Sequence, residues 1–328
     1  MRITETMFSN SFLQQANNLQ EAMATNSSQI SSGMSIINPG DDPVAFGQVS
    51  ALRQQNSQNA VYTSTTNTLS TTAQSTYNVL TQMQTLATSI TSLMTQASST
   101  GSANYADYGQ QLQTYADQLA QLVNTQVNGV YIFGGTGNQA PLVAITPTPS
   151  SDAPQYQLNN TSAGYVSNVT TAAINSNLTV SIGLTAGSNT SGASNFGGFL
   201  TDGSGVDFYT MVASAAQDLL NASSGTSDPF SADTNLGSSY SNAVSAINAG
   251  ADNISRYLGR ASSQLAVLTN NQTDLATAAT TQTTTLDSLT SADTATLATQ
   301  LSTLQTAYSA SLQSAATILK LNMLDYIS

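Results

Sequence analysis

Apolar side chains recur every three to four residues over long stretches at both ends of this 328-residue chain. In the N-terminal part the pattern comprises Ala73, Tyr77, Leu80, Met83, Ala87, Ile90, Met94 and Ala97. In the C-terminal part it comprises Ala261, Leu265, Leu268, Gln272, Leu275, Ala279, Gln282, Leu286 and Leu289, and, after one offset, Leu297, Leu301, Leu304, Tyr308, Ala315 and Ile318. A repeat of about 3.5 residues keeps one face of a helix turned towards a partner helix. The pattern therefore predicts helical ends that each carry a seam for a partner.

The same periodicity predicts where the helices begin and end. We expect helices over about 1–37, 44–98 and 105–125, and a return to helix from about 239 that continues with few breakers to the C-terminus. Between the first two helices, residues 38–43 contain two prolines and a glycine, which remove backbone donors and restrict the backbone. The chain therefore has a helix–middle–helix layout, in which the two helical ends are each other's partners.

A pair of neighbouring carboxylates, Asp41 and Asp42, lies within this break. Paired carboxylates can bind a metal or perform acid–base chemistry, but here no third ligand is nearby and turn residues flank them. Asp is a preferred residue at the position that caps the start of a helix. We interpret the pair as part of a turn and a helix cap.

The middle of the chain changes from a helical to a strand-like pattern. Asn128-Gly129, followed by Val-Tyr-Ile-Phe and Gly134-Gly135, is typical of a tight turn between strands. Beyond it, Gly, Thr, Asn and Ser separate short apolar runs at Tyr165–Val169, Leu178–Leu184 and Asn195–Leu200, with one predicted helix at Phe208–Asn221.

These patterns predict a mainly α fold with a β-rich insert, in which both termini form a long antiparallel coiled-coil bundle. We expect three domains. Residues 1–43 with 290–328 would form a terminal coiled-coil assembly domain. Residues 44–142 with 237–289 would form a helical bundle that ends in a β-hairpin, and 143–236 an outward-facing β-rich insert.

Composition excludes several classes of function. Charged residues make up only 7% of the chain, and five basic against seventeen acidic residues give a net charge of -12. Binding to phosphate or to anionic lipid needs clustered Lys and Arg, so we expect neither nucleic acid nor a membrane as a partner. We expect an acidic partner for each of the sparse basic residues Arg53, Arg256, Arg260 and Lys320.

The chain also lacks the residues on which much catalysis depends. It contains no Cys, no His and no Trp. Zinc sites of the usual kind, His bases and thiolate nucleophiles are therefore excluded, and we expect neither an enzyme nor a bound cofactor or metal. The N-terminal residues lack the apolar core of a secretory signal, so export without a cleaved signal is expected.

Four segments resemble a known family. Ile30-Ser-Ser-Gly-Met-Ser-Ile-Ile-Asn-Pro-Gly-Asp-Asp-Pro-Val-Ala45 is similar to a stretch of bacterial flagellin-like proteins, although Ser35 stands where that family usually has Arg. Within the family, three segments resemble the hook–filament junction proteins. They are Met1-Arg-Ile-Thr, Asn128-Gly-Val-Tyr-Ile-Phe-Gly-Gly135 and Leu321-Asn-Met-Leu-Asp-Tyr-Ile327.

The resemblance implies a structural subunit of the bacterial flagellum, secreted and extracellular. It would be an adaptor at the hook–filament junction that polymerises non-covalently through its terminal helices. The implied partners are copies of itself in a ring or tube, a neighbouring hook-associated protein, flagellin and an export chaperone. The assembly seam would comprise Leu286, Leu289, Leu297, Leu301, Leu304, Tyr308 and Ile318. The family motif and turn residues would be Ser32, Gly33, Pro39, Asp41, Asp42, Pro43, Asn128, Gly129 and Gly134.

Two alternatives remain open at this stage. The chain could be a flagellin that forms the filament itself. It could also be a secreted module that binds glycans or surfaces through the β-rich insert, where Tyr156, Tyr165, Phe196, Phe199 and Phe230 would supply aromatic platforms.

Overall fold

A computed structural model describes residues 2–100, 104–134, 143–145, 156–158, 170–182, 208–222, 228–231, 236 and 239–327. Its helices are α1 (Arg2–Ser32), α2 (Pro43–Thr100), α3 (Tyr105–Val123), α4 (Phe208–Asn221), α5 (Tyr240–Thr290) and α6 (Thr294–Ile327). Its strands are β1 (Gln126–Val127), β2 (Val130–Tyr131), β3 (Val143–Ile145), β4 (Tyr156–Leu158), β5 (Thr170–Asn175) and β6 (Leu178–Ile182). The mainly helical fold predicted from the sequence is confirmed.

One helix prediction was wrong. The sequence led us to expect an almost continuous helix from about residue 239 to the end, but Ser291, Ala292 and Asp293 separate α5 from α6. The backbone leaves the helix here because Ser291 pairs with Met34 in an isolated antiparallel β-bridge. The offset in the apolar repeat between Leu289 and Leu297 marks this break.

The chain forms two compact units. Each of the helices α2 and α5 has one segment in unit 1 and another in unit 2. Unit 1 comprises residues 1–60 and 277–328. In it α1 packs antiparallel to α6, and the beginning of α2 pairs with the end of α5, where Asn59 Nδ2 donates a hydrogen bond of 3.0 Å to Gln282 Oε1.

Unit 2, residues 61–276, contains the large hydrophobic core. The predicted apolar stripe of α2 faces this core, and Leu80, Met83, Ile90 and Met94 are fully buried. Side chains of α3, α4 and α5 complete it, among them Leu112, Leu119, Phe208, Tyr209, Val212, Leu219, Ile247 and Ile254. Unit 2 is therefore a four-helix core built around one seam of α2 and α5.

The helix α4 belongs to this core. The sequence-based interpretation placed it inside an outward-facing insert, but its residues Phe208, Tyr209 and Leu219 are fully buried and it packs along α3. Phe230 and Leu236, also assigned to the insert, are buried in the same core. Eight of the fourteen residues of α4 are buried, and such a helix cannot stand on an exposed insert.

Each of the three β-ladders of the described chain is a two-stranded hairpin. The first, β1–β2, turns through Asn128 (φ 54°) and Gly129 (φ 78°), and left-handed backbone at both central positions is what a type I′ turn requires. In the hairpin β5–β6, Ile174 and Val180 pack against Ala73 of α2 and Leu268 of α5. The predicted apolar runs Tyr165–Val169 and Asn195–Leu200 lie outside the described residues.

The helices α3 and α4 approach each other closely at Gly109, so a substitution there tests the packing of the core. A β-carbon at Gly109 of α3 would lie 2.9 Å from the Ala216 carbonyl oxygen and 2.9 Å from the Leu220 nitrogen of α4. We expect Gly109→Ala to lower the stability of unit 2 by about 1–3 kcal/mol, because backbone atoms cannot yield to the added methyl group. Thermal unfolding followed by circular dichroism measures this.

The matched control is Gly259→Ala in α5, where a β-carbon meets nothing within 4 Å. There the substitution should leave the melting temperature unchanged or raise it, since Ala is the better helix former by about 1 kcal/mol. Equal losses in both variants would contradict the close α3–α4 packing.

The position of α4 also predicts which parts of the middle are dispensable. Thr170 and Ile182 are register partners, so a short linker in place of residues 171–181 joins neighbouring ends. We expect that variant to remain folded, with only the small cluster around Ile174 lost. Replacement of all of 143–236 should unfold unit 2, because it removes α4. Folding of both variants, measured by circular dichroism and limited proteolysis, would show that α4 is not needed.

Candidate assembly site

The turns before α2 and before α6 are paired with each other in unit 1. Ser35 N donates to the Thr290 carbonyl at 2.7 Å, and Ala292 N donates to the Gly33 carbonyl at 3.0 Å. The Ser35 hydroxyl also donates to the Thr290 carbonyl, at 3.2 Å. We call residues 33–35 with 290–292 the clasp. It ties the end of α1 to the start of α6, so both terminal helices leave from one point.

Gly33 has φ +68°, a conformation that favours glycine, and this allows α1 to end and the chain to enter the clasp. Ser32, the last residue of α1, lies beside it, and its side-chain oxygen accepts a hydrogen bond from Met34 N at 3.2 Å. Ser35 has no side chain long enough for the contacts that the usual Arg of the family could make. Its bonds to Thr290 are instead local and hold the clasp together.

Asp41 and Asp42 organise the turn that leads into α2. One oxygen of Asp41 accepts hydrogen bonds from Ile37 N at 2.9 Å and Asn38 N at 2.8 Å. One oxygen of Asp42 accepts from Val44 N and Ala45 N at 3.0 Å, which is the geometry of a helix cap. Pro39 lies in the turn, and Pro43 is the first residue of α2, where the missing N–H costs no helical hydrogen bond.

Asp293 has the same role for α6, and the sequence analysis missed it. Its carboxylate accepts hydrogen bonds from Ala295 N and Thr296 N at 3.1 Å and from the Thr296 hydroxyl at 2.7 Å. Asp before an apolar repeat is a cap signal, and it coincides with the register offset after Leu289. These two signals together could have located the break.

The predicted seam residues lie on the inner side of the terminal helices of unit 1. Leu286 and Leu289 are half-buried near the end of α5, and Leu297, Leu301, Leu304 and Tyr308 are half-buried in α6. Gln20 of α1 donates to the Tyr308 hydroxyl at 2.9 Å across the pair. Ile318 lies in α6, but its side chain is outside the described residues.

The remaining motif residues lie in unit 2, so the predicted residues do not form a single site. Asn128 and Gly129 make the exposed β1–β2 turn. Gly134 is buried, and its N–H donates to the Tyr131 carbonyl at 3.1 Å. Their place next to the core of unit 2 gives them a structural role in closing the helical bundle.

Among the described residues, two of the arginines for which we expected acidic partners bond to neutral groups. Arg53 donates to the Met34 sulfur at 3.8 Å, and Arg256 donates to Asn253 Oδ1 at 3.0 Å, both neutral groups. Arg260 lies 5.1 Å from the centre of the Tyr257 ring.

The described residues contain no group of three or more acidic side chains placed to hold a metal ion. Among the helices, as far as they are described, none has an apolar stretch long enough to cross a membrane. The arrangement of clasp, caps and seam has features of an assembly element: helix faces that can pack on other helices.

Residues 3–138 match the family described as the bacterial flagellin N-terminal helical region. This N-terminal part of the chain is similar to that region of flagellins. No curated protein matches the sequence. The matched region contains α1, α2, α3 and the β1–β2 hairpin, and hence all the motif residues predicted from the sequence.

Solved structures of hook-associated proteins share the fold. A putative flagellar hook-associated protein from Vibrio parahaemolyticus is similar with a TM-score of 0.59 and 16% identity, over 76% of this chain and 100% of that one. Hook-associated protein 3 from Legionella pneumophila gives 0.55 and 12%, over 74% and 98%. FlgL from Xanthomonas campestris gives 0.52 and 14%, over 73% and 99%. These likenesses show that the chain has the fold of these three proteins over about three quarters of its length.

Hydrogen bonds from Thr296 hold the pKa of Asp293 below its ordinary value. The carboxylate therefore stabilises α6 fully above the ordinary pKa of Asp, and this contribution is lost as the pH falls through the lowered pKa. We expect protection of amides 294–300 from hydrogen exchange to decrease between about pH 5 and pH 3.

Asp293→Asn retains an oxygen acceptor but does not titrate in this range, so the part of the decrease that comes from the cap should be absent. Asp274→Asn, which removes an exposed carboxylate from α5, is the control and should behave as the unsubstituted protein. The same pH profile in the Asp293 and Asp274 variants would contradict a role for the cap.

Proposed function

We propose that this protein is the adaptor at the hook–filament junction, and that it polymerises non-covalently through α1 and α6. One observation carries the proposal. Of the described side chains of α1 and α6, only Ala315 is buried. The pair leaves Met7 68% exposed, Leu13 54% exposed and Leu312 44% exposed. Two helices cannot exclude water from an apolar seam on their own, so neighbouring subunits would cover these faces.

The small number of charges suits such packing. The helix α2 has 58 residues and a single charged side chain, Arg53. The described side chains of α6 bear no charge, and the capping Asp293 lies just before its first residue. Close packing of copies around a tube therefore buries few ions without partners, which would otherwise cost several kcal/mol each.

Assembly at this place requires export and late folding. An apolar seam without a partner does not repay the entropy of ordering a long helix, so α1 and α6 would order fully on docking into the growing tube. Export would be with a chaperone that covers the seam. The secreted, extracellular location and the chaperone are part of the proposal.

Three segments, at residues 1–4, 128–135 and 321–327, resemble junction proteins and favour that role over a filament-forming flagellin. The three solved structures compared above are, in addition, of hook-associated proteins. A strain without this gene, viewed by negative stain, tests the proposal. We expect hooks without filaments and flagellin lost to the medium, both restored by the intact gene. Normal filaments in that strain would refute the adaptor role.

The seam of α6 gives a sharper test. Leu301→Asp or Leu304→Asp puts a carboxylate on the half-buried face, at a cost of several kcal/mol once subunits cover it. We expect exported protein with a folded unit 2 and bare hooks, because each subunit of the tube repeats the defect. Electron microscopy of detached flagella measures filament attachment.

The control is Ser302→Asp, which places the same charge on the exposed side of α6 between the two leucines. It should attach filaments more often than either seam variant. Normal filaments on both leucine variants would mean that the seam lies elsewhere.

A further inference from the structure

Unit 2 has an uneven distribution of charge that the function above does not use. Over residues 61–276 the sequence has ten acidic residues: Asp107, Asp117, Asp152, Asp202, Asp207, Asp218, Asp228, Asp233, Asp252 and Asp274. It has two basic residues, Arg256 and Arg260. All the positive charge of this unit therefore lies within five residues of one helix, α5.

The two arginines lie side by side and are held in place. They are one helical turn apart on α5, and both are exposed. Arg256 donates to Asn253 Oδ1 at 3.0 Å, and Arg260 lies over the Tyr257 ring at 5.1 Å from its centre. Asn253 and Tyr257 are themselves buried, so they anchor the guanidinium groups at the edge of the core.

The phenol of Tyr257 lies close to the positive charges of both arginines. Burial raises its pKa, while the positive charges of Arg260 and Arg256 oppose that rise. A guanidinium has five N–H donors in a fixed plane, so one bond to Asn253 leaves donors for a carboxylate. A pair held in this way loses little entropy when it binds an anionic group.

We propose that Arg256 and Arg260 are the docking site for a carboxylate of a neighbouring copy of this chain. The proposal rests on the adaptor function, in which identical subunits pack side by side. Copies that each have eight net negative charges in unit 2 repel one another, and this pair is the place where a neighbour's carboxylate is attracted. The contact would orient the subunits and lower their repulsion.

The geometry of a ring limits the acceptor. Subunits around a ring contact each other head to tail, so donor and acceptor lie on different faces of the subunit. Among the described acidic residues of unit 2, Asp107, Asp252 and Asp274 are exposed, and Asp107 of α3 is the one that is not on α5. We therefore assign Asp107 of the adjacent copy as the acceptor.

The chain has no cysteine, so disulfide crosslinking can test this contact without background. Gly259→Cys places a thiol between the arginines, at a position with open space for a β-carbon. Ala106→Cys places one beside Asp107 on an exposed site of α3. The two full-length single-cysteine chains are expressed together in the deletion strain, and assembled flagella are oxidised and separated on non-reducing gels.

We expect a covalent dimer that needs both chains, and Arg256→Gln with Arg260→Gln should lower its yield about tenfold. Arg256→Lys with Arg260→Lys keeps the charge and should restore part of the yield. No dimer, a dimer from the Gly259→Cys chain alone, or a yield that does not depend on the arginines would each overturn the proposal.

The crosslinking experiment tests the arginine contact, and the deletion strain tests the adaptor function. If the deletion strain has bare hooks but the crosslink is absent, the adaptor function stands and the arginine contact fails. If the deletion strain has normal filaments, the adaptor function fails. The dimer then still reports whether copies meet at the arginines wherever they assemble.

Discussion

Antiparallel pairs of helices, with apolar side chains meeting along one face, join an N-terminal part of the chain to a C-terminal part in each unit. In unit 1 the pair is α1 with α6, and in unit 2 the long helices α2 and α5 provide the frame on which α3 and α4 pack. Every other element depends on these pairs. The clasp can form because the end of α1 lies beside the break between α5 and α6, and α4 packs into the core that α2, α3 and α5 form.

The pairing is stabilised with almost no help from charge. In most coiled coils, oppositely charged residues beside the seam set the register of the two helices. Here neutral side chains bond across the pair instead, at distances of 2.9–3.3 Å: Gln20 with Tyr308, Asn59 with Gln282, Thr66 with Asn271, Asn67 with Gln272 and Gln84 with Ser255. Salt does not screen such bonds as it screens ion pairs. The register is therefore insensitive to ionic strength.

The pair of α1 and α6 buries far fewer side chains than the core of unit 2. This difference supports the proposed role. Unit 2 buries large side chains on four helices and is complete as a folded unit. The pair of α1 and α6 has one buried side chain among those described. A segment that is half-covered in the monomer gains most when neighbours arrive. The proposed assembly through the termini would therefore follow from the same distribution of apolar surface that builds the core of unit 2.

The sequence alone determined the helices, the turn at residues 38–43 and the tight turn at Asn128-Gly129, because these depend on local periodicity and on residues with restricted backbones. Local patterns also located α4, but only the tertiary structure decided that it packs on α3 rather than on an insert. A strongly amphipathic helix shows that it needs a partner without showing which one. The register offset and Asp293 mark the break at residues 291–293 in the sequence, but only the tertiary structure showed that Ser291 pairs with Met34 there. The neutral acceptors of Arg53 and Arg256 were likewise visible only in the folded chain, because the apolar pattern does not show which side chain a guanidinium reaches.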